Sequence, residues 1–416
     1  MTRGTSLPSA TEKVIGTRRG QFIGFVVVAA VVLSAVVSAC VASRWTAFGA
    51  EPKGERLRRA QQSPQWHDGK FENPQPIWAD TRAAWRRFLL GPSVAMLRPD
   101  GPVPVVHDDA STFATPPASG LRITWFGHSS ALVEIDGRNI LIDPFWSQRA
   151  SPVSWAGPER WYPPPIALSE LPRIDAVLIS HDHYDHLDPA AVVAMTSWTT
   201  VFIVPLGVGA HLQRWGIPQQ RILELDWWQS AGVGTIEVVA TPARHASGRL
   251  ATKSNRTLWA GYAIAGTQHR VWYSGDTGFH NDLRRIGEQL GPFDVSLIEA
   301  GQYDANWPDT HLGPEQAVEA HRLVRGKLMI PVHWGMLSLA EHAWTEPAER
   351  VIAEALCSGV EALVPRPGES VEPTLNPTTV RWWPDIPWQR AEQTPVNATR
   401  FGNATDRFHA RHCLVQ

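Results

Sequence analysis

Apolar and polar positions follow three different patterns along this chain of 416 residues. Residues 22–43 are uncharged and rich in valine and alanine, whereas the stretch that follows is polar and interrupted by prolines. From Leu121 onward, short apolar runs alternate with amphipathic stretches, which is typical of a folded domain. The pattern predicts a membrane segment over 1–43, a linker and lead-in over 44–120, a main domain over 121–372 and a C-terminal extension over 373–416.

Within the main domain, the apolar runs have the lengths of strands and the amphipathic stretches those of helices. The runs "LRITWFG", "ALVEI" and "NILID" predict strands, and Asp136-Gly137 between the last two favours a tight hairpin turn. Later runs such as "DAVLIS", "IEVVATP" and "LMIPV" alternate with helical patterns such as "FHNDLRRIGEQLG" and "GPEQAVEAHRLVRG". A short helix is also predicted at "TRAAWRRFLL" before the domain. The domain is therefore expected to be mixed α/β.

The apolar segment over residues 22–43 exceeds the roughly 18 residues that a membrane-spanning helix needs. Arg18 and Arg19 precede it, so the positive-inside tendency places the rest of the chain outside the cytoplasm. The letters "VSAC" ending at Cys40 instead resemble a bacterial lipobox, whose cysteine is lipidated after cleavage. A spanning helix and a lipid anchor remain alternatives. Both predict a membrane-anchored protein with its main domain outside the cytoplasm.

Composition narrows the chemistry that the domain can perform. The 38 basic and 40 acidic side chains nearly balance, so no basic field favours nucleic acid as a partner. Cys40, Cys357 and Cys413 are too few and too scattered for a disulfide framework or a thiolate zinc site. Any metal would therefore have to be bound by histidine and carboxylate side chains.

The stretch "ISHDHYDHLD", residues 179–188, supplies such side chains directly after an apolar run. Other strand-like runs also end in a candidate ligand, because "EVVATPAR" precedes His245, "VWYSG" precedes Asp276 and "LMIPV" precedes His333. Strand ends converge at one rim in α/β folds, so these side chains are expected to meet. Within the stretch, His181 and His183 can reach one ion, and Asp185 and His186 another. The spacing suits two zinc ions that share a hydroxide.

A single buried histidine is more often part of a satisfied core than a metal ligand. Four candidate ligands within residues 181–186 are hard to explain by packing, because burying uncompensated polar groups is costly. Asp182 and Asp188 are expected to support ligands or to cap a helix, since Asp188 precedes Pro189 at a predicted helix start. For His311, which precedes another predicted helix, a capping role and a functional role are equally favoured by the residues alone.

The stretch "SHDHYDHLD" resembles the His-x-His-x-Asp-His motif of metallo-β-lactamase-fold hydrolases. The wider text, with "WFGHSSALVEIDGRNILIDPFW", "GPERW", "LSELPRIDAVLIS", "GDTGF" and "HWGM", resembles the N-acylphosphatidylethanolamine-hydrolysing phospholipase D family from about residue 70 to 370. This resemblance implies an α/β fold, the αββα metallo-β-lactamase-type sandwich, with two zinc ions at one edge between the sheets. The implied ligands are His181, His183 and His245 for one zinc, Asp185, His186 and His333 for the other, and Asp276 as the bridge.

The resemblance also implies an activity. A hydroxide bridging the two zinc ions would hydrolyse N-acylphosphatidylethanolamine-like phospholipids to phosphatidic acid and an N-acylethanolamine. Asp185, Asp276 and His311 would be the catalytic residues, with His311 near the substrate phosphate. The implied partners are a phospholipid substrate and a membrane, and a homodimer is left open.

Two other activities remain as alternatives. The first is a different hydrolase on the same fold, such as a lactonase. A β-lactamase is disfavoured because those enzymes generally lack a bridging carboxylate like Asp276. The second is a di-iron redox protein, which is disfavoured because that branch resembles His-x-Glu-x-Asp-His, and His183 stands at the glutamate position.

Overall fold

The computed structural model of the protein describes residues 34, 46–80, 82, 96–107, 110–249, 254–375 and 378–407. The chain divides before Phe48, and the unit from Phe48 onward contains the sheets described below. Apart from single residues, the predicted membrane segment and the predicted helix at "TRAAWRRFLL" lie outside the described residues. Among the residues that are described, no helix combines the length and apolar character needed to cross a bilayer.

The described strands form a small hairpin and two seven-stranded sheets. The hairpin consists of β1 (Trp66–His67) and β2 (Lys70–Phe71). The first large sheet has the spatial order β16-β3-β4-β5-β6-β7-β8, with β3 (Leu121–Gly127), β4 (Ser130–Ile135), β5 (Arg138–Ile142), β6 (Ala176–Leu178), β7 (Val201–Pro205), β8 (Ile222–Leu225) and β16 (Ser370–Val371). The second has the order β15-β14-β13-β12-β11-β10-β9, with β9 (Ser230–Val233), β10 (Ile236–Thr241), β11 (Gly261–Ala265), β12 (Arg270–Tyr273), β13 (Phe293–Glu299), β14 (Gly326–Val332) and β15 (Glu361–Ala362).

Helices cover the outer faces of both large sheets. The described α-helices are α1 (Glu55–Gln61), α2 (Pro189–Ala194), α3 (Gly209–Arg214), α4 (Asp282–Gln289), α5 (Pro314–Val324) and α6 (Glu346–Ser358). Phe202 of the first sheet packs in one cluster with Val192 of α2 and Leu212 of α3. On the second sheet, Met329 shares a cluster with apolar residues of α4, α5 and α6, namely Ile286, Val318 and Val351. The predicted layered α/β sandwich is confirmed.

The largest apolar cluster lies between the two sheets. It joins Ile123 and Val133 of the first sheet to Tyr262, Leu297 and Ile330 of the second, all without measurable exposure. These side chains alternate along each strand with side chains that face the helices, so both faces of each central strand are buried. Burial on both faces explains why the strands are apolar throughout rather than alternating with polar residues.

The predicted hairpin between β4 and β5 is also confirmed. Ile135 pairs with Arg138 across a two-residue turn, and both turn residues have positive φ, 47° at Asp136 and 80° at Gly137. This conformation matches the twist of the flanking strands and suits Asp-Gly. Asp136 also accepts hydrogen bonds from the main-chain nitrogens of Gln268 at 2.7 Å and His269 at 3.1 Å, which connects the turn to the other sheet.

The described residues on either side of 121–372 pack against the sandwich. Ala60 and Phe71 have no exposed surface and belong to the cluster between the sheets. Glu224, at the end of the first sheet, pairs with Arg56 at 2.9 Å. Trp383, beyond β16, joins the same cluster. The predicted limits of the catalytic domain stay predictions, but the flanking segments contribute to its core.

Strand directions explain why one edge collects polar residues. β3 and β5 run the same way because each is antiparallel to β4, and β6 is parallel to β5. In the second sheet β10 and β12 run the same way because each is antiparallel to β11, while β13 and β14 are parallel to β12. Within each sheet, these strands therefore deliver the residues that follow them to one end.

Candidate metal centre

The structure brings all seven predicted metal ligands together. His181, His183, His245 and Asp276 form one group whose ligand atoms all lie within 4.8 Å of one another. Asp185, His186 and His333 form a second group, which His128 joins. A third group consists of Glu299 and His311 together with Asp276 from the first group and His333 from the second. The cluster is buried, since the exposed fraction of Asp276 is only 3%.

The spacing in the first group is that of ligands around one small ion. His183 Nδ1 lies 2.8 Å from His181 Nε2 and 3.3 Å from His245 Nε2. Asp276 Oδ2 lies 3.7 Å from each of the same two Nε2 atoms. Tetrahedral ligands about 2.0 Å from a zinc ion would be roughly 3.3 Å apart. The atoms therefore stand close to the separations that such an ion imposes.

The second group has similar spacing and shares Asp276 with the first. His186 Nε2 lies 3.4 Å from Asp185 Oδ2 and 3.2 Å from Asp276 Oδ2. His333 Nδ1 lies 3.0 Å from Asp276 Oδ1. His128 Nε2 contacts Asp185 Oδ2 at 2.9 Å. The two oxygens of Asp276 thus face ligands of both groups, as a bridging carboxylate requires.

Three atoms of this cluster are buried without a satisfactory partner. Among the described residues, His128 Nδ1, His186 Nε2 and Asp276 Oδ1 have no hydrogen-bond partner of acceptable geometry. The last two face other ligands, since His186 Nε2 lies 3.2 Å from Asp276 Oδ2 and Asp276 Oδ1 lies 3.0 Å from His333 Nδ1. Leaving such atoms unpaired costs about 1–3 kcal/mol each, and more if charged. A metal ion between the groups would satisfy these last two, so the residues fit a metal centre.

The electrostatics of the cluster lead to the same conclusion. Burial lowers the pKa of His181, His245 and His333 well below the usual value, which leaves neutral imidazoles suited to metal binding. Burial acts in the same direction on His186, but Asp276 and Asp185 outweigh it and hold the pKa of that histidine well above its usual range. Burial raises the pKa of Asp276 to about 7. Asp185 and Asp276 therefore favour a positive charge between them.

Hydrogen bonds outside the cluster orient the imidazoles. Asp143 Oδ2 lies 2.8 Å from His186 Nδ1 and accepts from Ser180 Oγ at 2.5 Å and from Tyr273 Oη at 2.5 Å. On His245, Nδ1 lies 2.9 Å from the carbonyl oxygen of Thr310, to which it donates. In both rings the engaged Nδ1 leaves Nε2 for a metal.

Sequence reasoning missed the roles of His128 and Asp143. His128 directly follows β3, and Asp143 directly follows β5, so each occupies the strand-end position that identified the other candidates. His128 was overlooked because it stands in "FGHSS" without a neighbouring ligand. Asp143 is fully buried and contacts His186 rather than the cluster centre, so only the fold shows its partner.

Asp182 and Asp188 lie outside the ligand groups, as expected. Asp182 Oδ2 contacts His211 Nε2 at 3.2 Å, and its Oδ1 accepts from the main chain of Gly248 at 2.6 Å. Asp188 caps α2 by accepting from the Ala190 nitrogen at 2.9 Å. Both carboxylates hold the loop that carries the histidine cluster.

His311 lies against the ligands rather than at a distant surface. Its ring centroid is 5.0 Å from that of His245 and 5.3 Å from that of His333. Its Nδ1 lies 2.7 Å from Glu299 Oε2, and the other oxygen of Glu299 accepts from the Thr277 nitrogen. The exposed fraction of its side chain is 15%, against 1–3% for its two ring neighbours. His311 therefore lines the solvent side of the cluster.

Comparison with known proteins supports the same assignment. A family model described as "Beta-lactamase superfamily domain" matches residues 138–334. The chain is 46% identical over 332 residues to an uncharacterized protein of Mycobacterium tuberculosis, covering 78% of this chain and 88% of that protein.

Two further relatives have names that state a function. N-acyl-phosphatidylethanolamine-hydrolyzing phospholipase D 1 of Caenorhabditis elegans is 38% identical over 265 residues, covering 61% of this chain and 74% of that protein. A UPF0173 metal-dependent hydrolase of Methanopyrus kandleri is 32% identical over 258 residues, covering 61% of this chain and 100% of the relative. The chain is therefore a metal-dependent hydrolase that belongs to the β-lactamase superfamily, where its homologues include N-acyl-phosphatidylethanolamine-hydrolysing phospholipase D.

Proposed function

We propose that this protein is a zinc-dependent phosphodiesterase of the phospholipase D type, which hydrolyses N-acylphosphatidylethanolamine-like phospholipids to phosphatidic acid and an N-acylethanolamine. The observation that carries the proposal is His311, which lies on the solvent side of two ligand groups joined by Asp276 and is held by the buried Glu299 at 2.7 Å. A phosphodiester needs such a donor beside a metal centre, because negative charge builds on its oxygens. The homology to a phospholipase D adds independent support.

The proposed ligand sets follow the two groups. His181, His183 and His245 would hold one zinc ion, and Asp185, His186 and His333 the other. Asp276 would bridge them, because its Oδ2 lies 3.7 Å from His181 Nε2 in the first group and its Oδ1 lies 3.0 Å from His333 Nδ1 in the second. A bound zinc pair supplies a hydroxide nucleophile near neutral pH and a Lewis acid for a phosphoryl oxygen.

The role proposed for His311 follows from its hydrogen bond. Burial raises the pKa of Glu299 well above the usual value and lowers the pKa of His311. The pair therefore retains one proton between Glu299 Oε2 and His311 Nδ1, and whichever group holds it, Nε2–H of His311 remains a donor. That donor would bind a phosphoryl oxygen and stabilise the charge that develops on it.

Asp185 and Asp276 are proposed to act together at the junction of the groups. Their oxygens stand 3.4 Å and 3.2 Å from His186 Nε2, so they can accept a hydrogen bond from a nucleophile held there.

The competing proposal is a different hydrolase on the same fold, such as a lactonase. The similarity to a UPF0173 metal-dependent hydrolase is compatible with this alternative.

Asp143→Ala should lower zinc affinity by about 10- to 100-fold, because His186 loses the acceptor that orients its Nδ1–H. Competition with a chromogenic chelator measures the affinity. The control is Asp175→Asn. Asp175 accepts from the Asn139 nitrogen at 2.9 Å and lies just before β6, whereas the proposed ligands follow this strand. Unchanged affinity in a folded Asp143→Ala protein would contradict the orienting role.

The purified protein should contain close to two zinc ions per chain and should convert N-acylphosphatidylethanolamine to phosphatidic acid and N-acylethanolamine. Metal analysis gives the first result and mass spectrometry the second. Chelation should abolish turnover and added zinc restore it. Free fatty acid without phosphatidic acid would instead indicate carboxylic-ester hydrolysis, and lactone opening without lipid turnover would favour the competing activity.

His311→Asn should lower kcat by roughly 10²- to 10³-fold, the usual effect of losing one charge-stabilising donor, while zinc content stays unchanged. Glu299→Gln should retain far more activity than Glu299→Leu. Its amide oxygen can accept from Thr277, and its amide nitrogen can donate to His311 Nδ1. Zinc loss in His311→Asn would show that His311 is a ligand. Equal activity of the two Glu299 variants would refute the proton-sharing pair.

We further propose that the protein is membrane-anchored, with its catalytic domain outside the cytoplasm. The support is the uncharged segment over residues 22–43 after Arg18 and Arg19. An anchor of this kind would hold a phospholipid hydrolase beside its substrate.

Protease added to intact cells should cleave the catalytic domain, and the remaining chain should fractionate with membranes. Cys40→Ser should abolish incorporation of labelled lipid only if the anchor is a lipidated cysteine. Protection of the domain in intact cells, with cleavage after lysis, would show that the proposed orientation is wrong.

A further inference from the structure

Residues 148–160, named here the rim hairpin, form a hairpin in the segment that follows Asp143. Its two sides pair where Ala150 donates to Pro158 O at 3.0 Å and Arg160 donates to Gln148 O at 3.0 Å. Arg149 pairs with Glu159 at 2.6 Å across the same ladder. This ion pair leaves neither charge at the base of the hairpin without a partner.

The tip of the rim hairpin is apolar and carries one large exposed side chain. Its sequence "SPVSWAG", residues 151–157, contains no charged residue. Trp155 is 78% exposed and is the one tryptophan in the described part of the chain that falls in the exposed class. Every other described tryptophan is buried or half-buried within the fold. An exposed indole on an uncharged tip suggests that a further surface covers it.

Both ends of the rim hairpin are tied to the loops that carry the proposed ligands. Trp146 N and Ser147 Oγ donate to Asp188 at 3.0 Å and 2.8 Å, two residues after His186. On the other side, Trp161 N donates to Met336 O at 3.1 Å, three residues after His333. Three residues span at most roughly 10 Å of chain. The hairpin therefore starts and ends beside the metal centre.

We propose that Trp155 inserts into the interface of a phospholipid bilayer and that the rim hairpin thereby seats the metal centre on the membrane surface. The inference rests on the proposed phospholipid substrate. Tryptophan favours this interface because its ring is apolar and its indole N–H can still reach water or head groups. Because the tip has no charge, the docking uses apolar contact, tolerates zwitterionic lipid and responds little to salt.

A probe beside Trp155 tests the contact without any reaction. Ser154→Cys in the full chain is labelled with an environment-sensitive fluorophore, and phosphatidylcholine vesicles are added. The unsubstituted chain treated with the same reagent gives the background from its own cysteines. We expect a blue shift that persists at high salt and that a second substitution, Trp155→Ala, largely removes. Leu356→Ala, at a residue of α6 that is 82% exposed, is the matched control and should leave the shift intact.

Three results of this experiment would overturn the docking proposal. The first is a label that does not respond to vesicles. The second is a response that requires anionic lipid and disappears at high salt, which would indicate electrostatic binding elsewhere. The third is self-association without lipid that Trp155→Ala abolishes, which would make the tip a contact between copies of the chain. Because Trp155 is exposed, its replacement should not impair folding.

Turnover separates failure of this inference from failure of the proposed function. With N-acylphosphatidylethanolamine in vesicles, Trp155→Ala should lower the rate by roughly three- to tenfold, since an anchoring aromatic contact is lost. With a short-chain analogue dissolved as monomers, the same variant should match the unsubstituted protein. Equal rates on vesicles would refute the docking role. Lack of turnover by the unsubstituted protein on both substrates would instead refute the proposed function, while the label still reports on the tip.

Discussion

The structure depends on the burial of a polar cluster around Asp276. Its carboxylate is 3% exposed and lies within 3.7 Å of four imidazoles, which come from strand ends of both sheets. Such a cluster is costly to remove from water unless its groups find partners. Hydrogen bonds alone do not satisfy it, because His186 Nε2 and Asp276 Oδ1 lack a partner of acceptable geometry among the described residues, and the surrounding carboxylates hold the pKa of His186 well above its usual range. A metal ion held by these residues would supply the missing partners.

Hydrogen bonds hold the rings of His186 and His245 on the side that faces away from the cluster. Asp143 receives hydrogen bonds from Ser180 and Tyr273, from one strand end in each sheet, and fixes His186 between them. Thr310 fixes His245 in the same way through its carbonyl oxygen. Because Nδ1 of each of these two rings is engaged in this way, Nε2 is the nitrogen left available. Such preorganisation keeps ligands and substrate contacts in place during turnover.

Segments outside the central domain hold the loops that carry His245 and His311. Arg244, 1% exposed, pairs with Asp309 at 2.9 Å and donates to the carbonyl oxygen of Thr399 at 2.9 Å. Asp309 in turn accepts from the main chain of Trp78 at 2.8 Å. The lead-in and the C-terminal extension therefore meet at one buried ion pair, next in sequence to a proposed ligand and two residues before His311. This buried ion pair therefore connects described residues on both sides of 121–372 to the loops that carry His245 and His311.

In the proposed function, substrate access and membrane contact involve different segments near the metal centre. His311 stands on the solvent side of the ligands, with the buried Glu299 behind it, and in the proposed function a phosphate group would enter there. The rim hairpin starts and ends near His186 and His333, through its contacts with Asp188 and Met336, and its tip carries the exposed Trp155. In the proposed arrangement, lipid contact at the tip and phosphate contact at His311 act on one substrate molecule. Binding at the membrane would then orient the scissile bond toward the centre.

The sequence by itself determined the strands, the hairpin at Asp136-Gly137 and the ligand candidates at strand ends. These features depend on neighbours within a few positions, through side-chain periodicity, turn conformation and the local spacing of residues 181–186. Only the tertiary structure decided the partners of Asp143, His311 and Arg244. His186 meets Asp143 across 43 residues, His311 meets Glu299 across 12, and Arg244 meets Thr399 across 155. Which distant groups meet depends on how the sheets stack and how the chain ends fold back, because long-range burial and hydrogen bonding leave no local pattern in the chain.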